Sequence, residues 1–299
     1  MKQNNQEKID FELRTPRFSI DKDLILAEET RLQLQECLTR LRHHKTIYHD
    51  WNFSSVDPMG RSTILNFYGP PGTGKTMAAE ALAGTIGVPF MHLGIAELES
   101  KFMGETAKNI HAAFAKANEE AAMIFFDEAD TLLGKRLSSV TQGVDNEVNA
   151  MRSTLLIELE RFDGIAVFAT NFAKNYDEAF RSRISYHIHF ALPDTAARKL
   201  LWARMLVEQI PIAESREMLL EKCALSSEGF SGREIRTCMR LALPKAVLAT
   251  ENDLAQAKLC WEHVEQAIAE IRLAQQNISS GPEDSLSMIR SGKRMLGLK

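Results

Sequence analysis

Residues 69–76 read Gly69-Pro70-Pro71-Gly72-Thr73-Gly74-Lys75-Thr76, an instance of G-x-x-x-x-G-K-[ST]. Glycines at this spacing let backbone N–H groups turn inward around an anion, and a helix starting just beyond adds the positive end of its dipole. The anion that fits is a chain of phosphates. Lys75 then reaches the β- and γ-phosphates, the Thr76 hydroxyl holds Mg²⁺, and Met77 opens the helical run that follows. Chance supplies such a four-position match in only about one chain in a hundred of this size.

A second group of residues sits where apolar runs end. Met123-Ile124-Phe125-Phe126 leads into Asp127-Glu128-Ala129-Asp130. A strand that delivers acids at its C-terminal end puts them at the ligand edge of a parallel sheet. There Asp127 joins the Mg²⁺ shell and Glu128 polarises an attacking water, the positioning role that phosphoryl transfer needs. The run 165–170 ends in Asn171, whose amide can hold both the water and the γ-phosphate, although an asparagine at a strand end also suits a plain turn. Arg181 and Arg183 follow within Asp177-Glu178-Ala179-Phe180-Arg181-Ser182-Arg183. They are either surface charges or fingers inserted into a neighbour's nucleotide site.

These side chains need a scaffold that brings several strand ends together. Apolar runs at 63–68, 88–93, 122–126, 165–170 and 186–190 alternate with helical stretches. The alternation predicts an α/β fold, a five-stranded parallel sheet sandwiched by helices. Ahead of it Leu24, Ile25, Leu32, Leu34, Leu38, Leu41 and Ile47 recur at mostly helical spacing. Beyond Pro193 the pattern is helical only, with segments near 194–209, 215–224, 231–249 and 254–276, the third expected to kink at Pro244. The expected organisation is an N-terminal arm over 1–22, a large α/β domain over 23–192, a small helical lid over 193–277 and a tail over 278–299.

Composition narrows the partners. Among 299 residues, 36 Lys+Arg face 40 Asp+Glu for a net charge of −4, with 44% hydrophobic and 25% charged residues. This balance rules out disorder across the whole chain and lacks the basic surplus of a dedicated nucleic-acid or membrane-surface binder. The start, MKQNNQEKIDFELR, has no apolar h-region, and no run of about 18 apolar residues occurs, so a cytoplasmic protein is expected. Cys37, Cys223, Cys238 and Cys260 are far apart without a CxxC pair, which predicts reduced thiols. His187 and His189 share one face of the fifth predicted strand with no apparent third ligand, so no metal site is assigned to them.

Taken in order, the motifs resemble the AAA+ ATPases over about residues 25–275. Gly69 to Thr76, Asp127-Glu128, Asn171 and Arg181/Arg183 are similar to Walker A, Walker B, sensor 1 and the arginine-finger segment. Gly229-Phe230-Ser231-Gly232-Arg233-Glu234-Ile235-Arg236 is similar to sensor 2. The resemblance implies ATP and Mg²⁺ as cofactors and a homo-oligomeric ring, usually a hexamer, with ATP at each subunit boundary. Arg233 matches the lid arginine that touches the γ-phosphate, and of the two candidate fingers Arg183 is favoured.

Glu99-Ser100-Lys101-Phe102-Met103-Gly104-Glu105-Thr106 follows the second predicted strand. An aromatic, an apolar residue and a glycine framed by charges suit a flexible grip on an extended polypeptide, while Phe102 as a satellite core residue is the alternative. The resemblance makes Lys101, Phe102, Met103 and Gly104 a substrate-gripping pore loop. The loop near 134–143 reads as a second pore loop or a simple connection. The run from Ser100 to Lys108 and that from Phe230 to Arg236 resemble the pachytene-checkpoint AAA+ ATPases, which remodel HORMA-domain proteins. Bacterial counterparts stand beside cGAS-like nucleotidyltransferases in anti-phage operons, which implies a remodeller that switches such a nucleotidyltransferase off. A general unfoldase without a HORMA target and a nucleotide-gated assembly switch are the other readings, and the absence of H-E-x-x-H argues against a built-in zinc protease.

Overall fold

A computed structural model describes residues 11–57, 62–94, 105–133, 143–171, 176–250 and 253–279. The chain divides into two compact units, Met1–Ala191 and Leu192–Lys299. In the first unit the strands are β1 (Leu13–Arg14), β2 (Thr63–Tyr68), β3 (Phe90–Gly94), β4 (Met123–Asp127), β5 (Ile165–Thr170) and β6 (Tyr186–His189). They form one sheet in the order β1-β3-β4-β5-β2-β6. Strands β2 to β6 run parallel, as the alternating pattern requires, and β4, β5 and β2 lie side by side.

The sheet has six strands rather than the expected five, because β1 pairs antiparallel with β3 through Leu13↔Met91 and Arg14↔Phe90. Two residues are too few for strand periodicity to register. The stretch 11–22, expected within a free arm, is packed on the unit instead. Phe11 and Ile20 are buried, Lys116 donates to the Phe11 carbonyl at 2.6 Å, and the Ile20 N–H donates to Thr85 Oγ1 at 3.0 Å. Arg17 reaches Glu80 through its backbone N–H (3.1 Å) and its guanidinium (2.9 and 3.1 Å). Polar composition concealed this strap because only Phe11 and Ile20 are fully buried, with Leu13 and Phe18 packed partly against the core.

Helices cover both faces. On one, α2 (Glu28–Arg42) and α3 (Lys75–Ile86), preceded by the single turn α1 (Ile20–Asp23), set Leu34, Leu38, Ala78, Ala79 and Leu82 against Leu65, Phe67, Phe125 and Val167. On the other, α4 (Glu105–Glu119), α5 (Asp130–Leu133), α6 (Gly143–Arg161) and α7 (Glu178–Arg181) surround Ile64, Phe126 and Phe168. Burial from two sides explains why β4 and β5 read as continuous apolar runs rather than alternating ones. The alanines of α3 allow its backbone to lie close to the sheet and so carry the loop before it to the strand ends.

The second unit packs α8 (Thr195–Met205), α9 (Arg216–Ser226), α10 (Gly232–Leu248) and α11 (Trp261–Ser279) around Trp202, Leu219, Phe230, Ile235, Val264 and Ile268. Helix α10 runs through Pro244 to Leu248, and the ring there costs it one intrahelical hydrogen bond. The last helix starts at Trp261, later than expected. Residues before it form a turn and a parallel bridge between Ile212 and Leu259, and the Trp261 N–H is received by Glu214 at 2.7 Å.

Candidate active site

Strand β2 ends at Tyr68 and α3 begins at Lys75, so residues 69–74 form the turn between them. Gly69, Gly72 and Gly74 have φ of 144°, 78° and 96°, a region that residues with a Cβ rarely adopt. At Gly69 a Cβ would also lie 2.2 Å from the Phe190 carbonyl oxygen. The Thr73 hydroxyl donates to the Pro70 carbonyl at 2.9 Å and ties the loop to itself. Lys75 is buried, and its ammonium donates to the carbonyls of Gly69 (2.7 Å) and Pro70 (2.9 Å) and to Asn171 Oδ1 (3.0 Å). A full positive charge, a left-handed glycine loop and the N-terminal end of a helix therefore meet at one place, where an anion is favoured.

Asp127 ends β4 beside this loop. Its carboxylate accepts from the Thr76 hydroxyl at 3.1 Å and from the Glu128 N–H at 3.0 Å, and His92 Nε2 lies 3.4 Å from Oδ2. Burial pushes the carboxyl up, but the contacts from His92, the Glu128 N–H and Thr76 outweigh it and hold it below the usual aspartate range. An ionised carboxylate paired with a hydroxyl offers the hard oxygen donors that Mg²⁺ takes, so these two residues fit the cation. Glu128 is exposed with φ of 53°, a left-handed conformation that costs a residue with a Cβ about 1–2 kcal/mol. The next N–H, of Ala129, donates to the Ala169 carbonyl at 2.8 Å and holds that turn in place. Strain of this kind, over-determined by its neighbours, is characteristic of sites where a side chain must be aimed.

Two residues not singled out from the sequence belong to the same cluster. Asp130 accepts from the Thr170 hydroxyl and from the Asn171 N–H at 3.2 Å, and so fixes the end of β5 against the start of α5. It stood in the acidic run but carried no assigned role. His92 faces Asp127 from β3, and its signal in the sequence was a titratable residue between the buried Met91 and Leu93.

The remaining candidates fall in different surroundings. Arg183 donates to the Ala179 carbonyl at 2.7 Å and pairs with Glu160 of α6, and its buried Nε has no partner among the described residues. Arg181, at the end of α7, is exposed, and its guanidinium makes no hydrogen bond or ion pair among the described residues. Met77 is half-buried in the first turn of α3, and Arg233 is exposed in the first turn of α10 in the second unit. In that motif Ser231 and Glu234 form a reciprocal capping box while Phe230 and Ile235 enter the core. Lys101, Phe102, Met103 and Gly104, and residues 134–142 of the other loop, lie outside the described residues.

Residues 65–192 match the family described as ATPase family associated with various cellular activities (AAA). The chain is 34% identical over 178 residues to 26S proteasome subunit RPT4 of Saccharomyces cerevisiae, covering 57% of this chain and 40% of that protein. It is 33% identical over 194 residues to the ATPase family AAA domain-containing protein FIGL1 of Arabidopsis thaliana, covering 63% and 28%. The chain thus spans less than half the length of these curated relatives. Among solved structures it shares the fold of the FIGL-1 AAA domain in complex with ADP, with a TM-score of 0.68 at 20% identity over 95% of this chain and 92% of that one.

Proposed function

We propose that the chain is an AAA ATPase, on the match of residues 65–192 to that family, and that it hydrolyses ATP to ADP and phosphate and uses the energy to remodel a protein. The observation that carries the reading is the meeting of three strand ends at one edge, with Lys75 on Asn171 at 3.0 Å and Thr76 on Asp127 at 3.1 Å. The loop N–H groups and Lys75 bind the β- and γ-phosphates. Thr76 and Asp127 hold Mg²⁺, which when bound offsets phosphate charge and fixes its geometry. Glu128 orients a water against the γ-phosphorus and takes its proton as the new P–O bond forms and the bond to the β,γ-bridging oxygen breaks. Asn171 holds that water and the γ-phosphate in line.

On the same reading the chain assembles as a homo-oligomeric ring, a hexamer, with Arg183 or Arg181 offered to a neighbour's nucleotide and Arg233 coupling the lid to it. Lys101, Phe102, Met103 and Gly104 grip the threaded segment. The target class we assign is a HORMA-domain protein, whose disassembly would silence a cGAS-like nucleotidyltransferase. The resemblance of the runs from Ser100 to Lys108 and from Phe230 to Arg236 supports that assignment. Membrane anchorage is not invoked, since no described helix is long and apolar enough to cross a bilayer.

The test is Glu128→Gln. This variant should bind ATP as the parent does, lose at least about 10²-fold in turnover, and retain its protein target in an ATP-dependent pull-down identified by mass spectrometry. Parent-level turnover would refute the site. Capture of a partner without a HORMA domain would refute the target class and leave a general remodeller.

A further inference from the structure

The pairing of β4 with β5 stops at Phe126↔Phe168, short of the strand ends that carry the chemistry. Just beyond it Glu128 turns into the left-handed region at φ of 53°. Something other than the sheet ladder therefore has to set how Glu128 stands relative to Asn171.

Three hydrogen bonds take over there. The Ala129 N–H donates to the Ala169 carbonyl at 2.8 Å. The other two end on Asp130. The Thr170 hydroxyl donates to its Oδ1, and so does the Asn171 N–H at 3.2 Å, with Oδ2 3.5 Å from the same nitrogen. One carboxylate thus receives two donors from consecutive residues of the facing segment. Thr170 is buried, so its hydroxyl is a costly donor to leave unmatched. An ionised carboxylate only accepts, and its charge makes such bonds about twice as strong as neutral ones. An asparagine here would offer one oxygen, and with that oxygen on Thr170 its NH₂ would stand beside the Asn171 N–H, donor against donor.

Asn171 is held from the other direction as well. Its Oδ1 accepts from Lys75 at 3.0 Å, and because lysine only donates, the amide oxygen faces the phosphate loop. When a phosphate takes the Lys75 ammonium, as the proposed chemistry requires, the bonds to Asp130 remain to hold Asn171 through its main chain.

We propose that Asp130 is a positioning residue for ATP hydrolysis, setting the main chain at Asn171 and so the placement of its amide across from Glu128. It touches no nucleotide. The inference rests on the ATPase reading above and gives a role to the third acid of the run 127–130.

Asp130→Asn in the full chain is nearly isosteric. Its kcat should fall about 3- to 10-fold, the worth of one hydrogen bond. Asp130→Ala removes the acceptor altogether and should lose about 10- to 100-fold, since bonds to a charged group are worth more. In both, the KM for ATP and the affinity for a fluorescent ADP analogue should stay within about twofold of the parent, because the phosphate loop is untouched. The sharper comparison uses Asn171→Ala. Adding Asp130→Asn to that variant should slow it no further, since the group being positioned is already gone, whereas a general weakening of the fold would slow both backgrounds alike. Each variant is assayed below its own melting temperature, and if Asp130→Ala does not fold, the isosteric Asp130→Asn decides. Parent kcat in Asp130→Asn, a loss carried by KM or nucleotide affinity, or losses that multiply in the double variant would overturn the proposal. Glu128→Gln separates the two levels. Full turnover in that variant refutes the ATPase site itself, whereas a dead Glu128→Gln beside a normal Asp130→Asn refutes only the positioning role.

Discussion

Gly69→Ala isolates what the phosphate loop demands of its first glycine. At φ of 144° an alanine is strained by about 1–3 kcal/mol. Its methyl would lie 2.2 Å from the Phe190 oxygen and 3.0 Å from the Phe190 carbonyl carbon, both backbone atoms. That backbone is pinned, since the Phe190 N–H donates to the Tyr68 carbonyl at 2.8 Å, so relief costs about 1 kcal/mol more in a weakened hydrogen bond. The sum is about 2–4 kcal/mol. In a unit the size of Met1–Ala191 each kcal/mol moves the melting temperature by about 2–4 °C, which predicts a loss of roughly 5–15 °C. Gly87→Ala, at the other end of α3, is the control. Its φ of 85° carries the conformational strain alone, because a Cβ there meets nothing within 4 Å, so about 1 kcal/mol and roughly 2–4 °C are expected. Differential scanning calorimetry of both variants, with titration of a fluorescent ADP analogue, checks the difference. Only Gly69→Ala should also lose nucleotide affinity. Equal losses in the two variants would refute the close approach of Gly69 to Phe190 as the reason for the glycine.

Two other expectations follow from the chemistry of particular groups. Asp127 binds its proton less readily folded than unfolded. Its contribution to stability is therefore present above the ordinary aspartate value of 3.8 and is lost as pH falls through the lower folded value. Asp127→Asn should flatten the fall in melting temperature below about pH 4, and parallel curves for parent and variant would contradict this assignment. Burial pushes the thiols of Cys37, Cys223 and Cys238 up to about 12, while Cys260 is only partly buried. Ellman's reagent at pH 8 should react promptly with no more than about one thiol of the folded protein and with all four in guanidinium. Mass spectrometry that finds Cys37 labelled in the folded state would overturn the burial argument.

Much of this site was legible in the sequence because its residues are adjacent in the chain and chemically unusual. Glycines that must take left-handed φ cannot be replaced cheaply, and strands buried on both faces leave apolar runs that end where the acids begin. What escaped notice depends on partners far along the chain. Asn66 reads as an interruption of the run Thr63-Ile64-Leu65 until Tyr176 is placed above it. Asp130 reads as a surplus acid until β5 lies beside β4. Arg183 carries no sign of Glu160 from the preceding helix, so the residue favoured as a finger turned out to be engaged within its own protomer. The start of α11 was misplaced for the same reason, since Glu214 and the Ile212 bridge set it from outside the helix.

The two-residue strand β1 bears on how the protein keeps in bottles and survives digestion. It occupies the outer side of β3 at Phe90 and Met91, where a row of backbone donors and acceptors would otherwise invite another chain. Arg14 and Arg17 are both exposed, so trypsin can cut beside the strand without disturbing the phosphate loop. A nicked molecule would keep its catalytic groups and lose its edge guard. Turbidity on standing, rather than failing turnover, is the first symptom such damage would give.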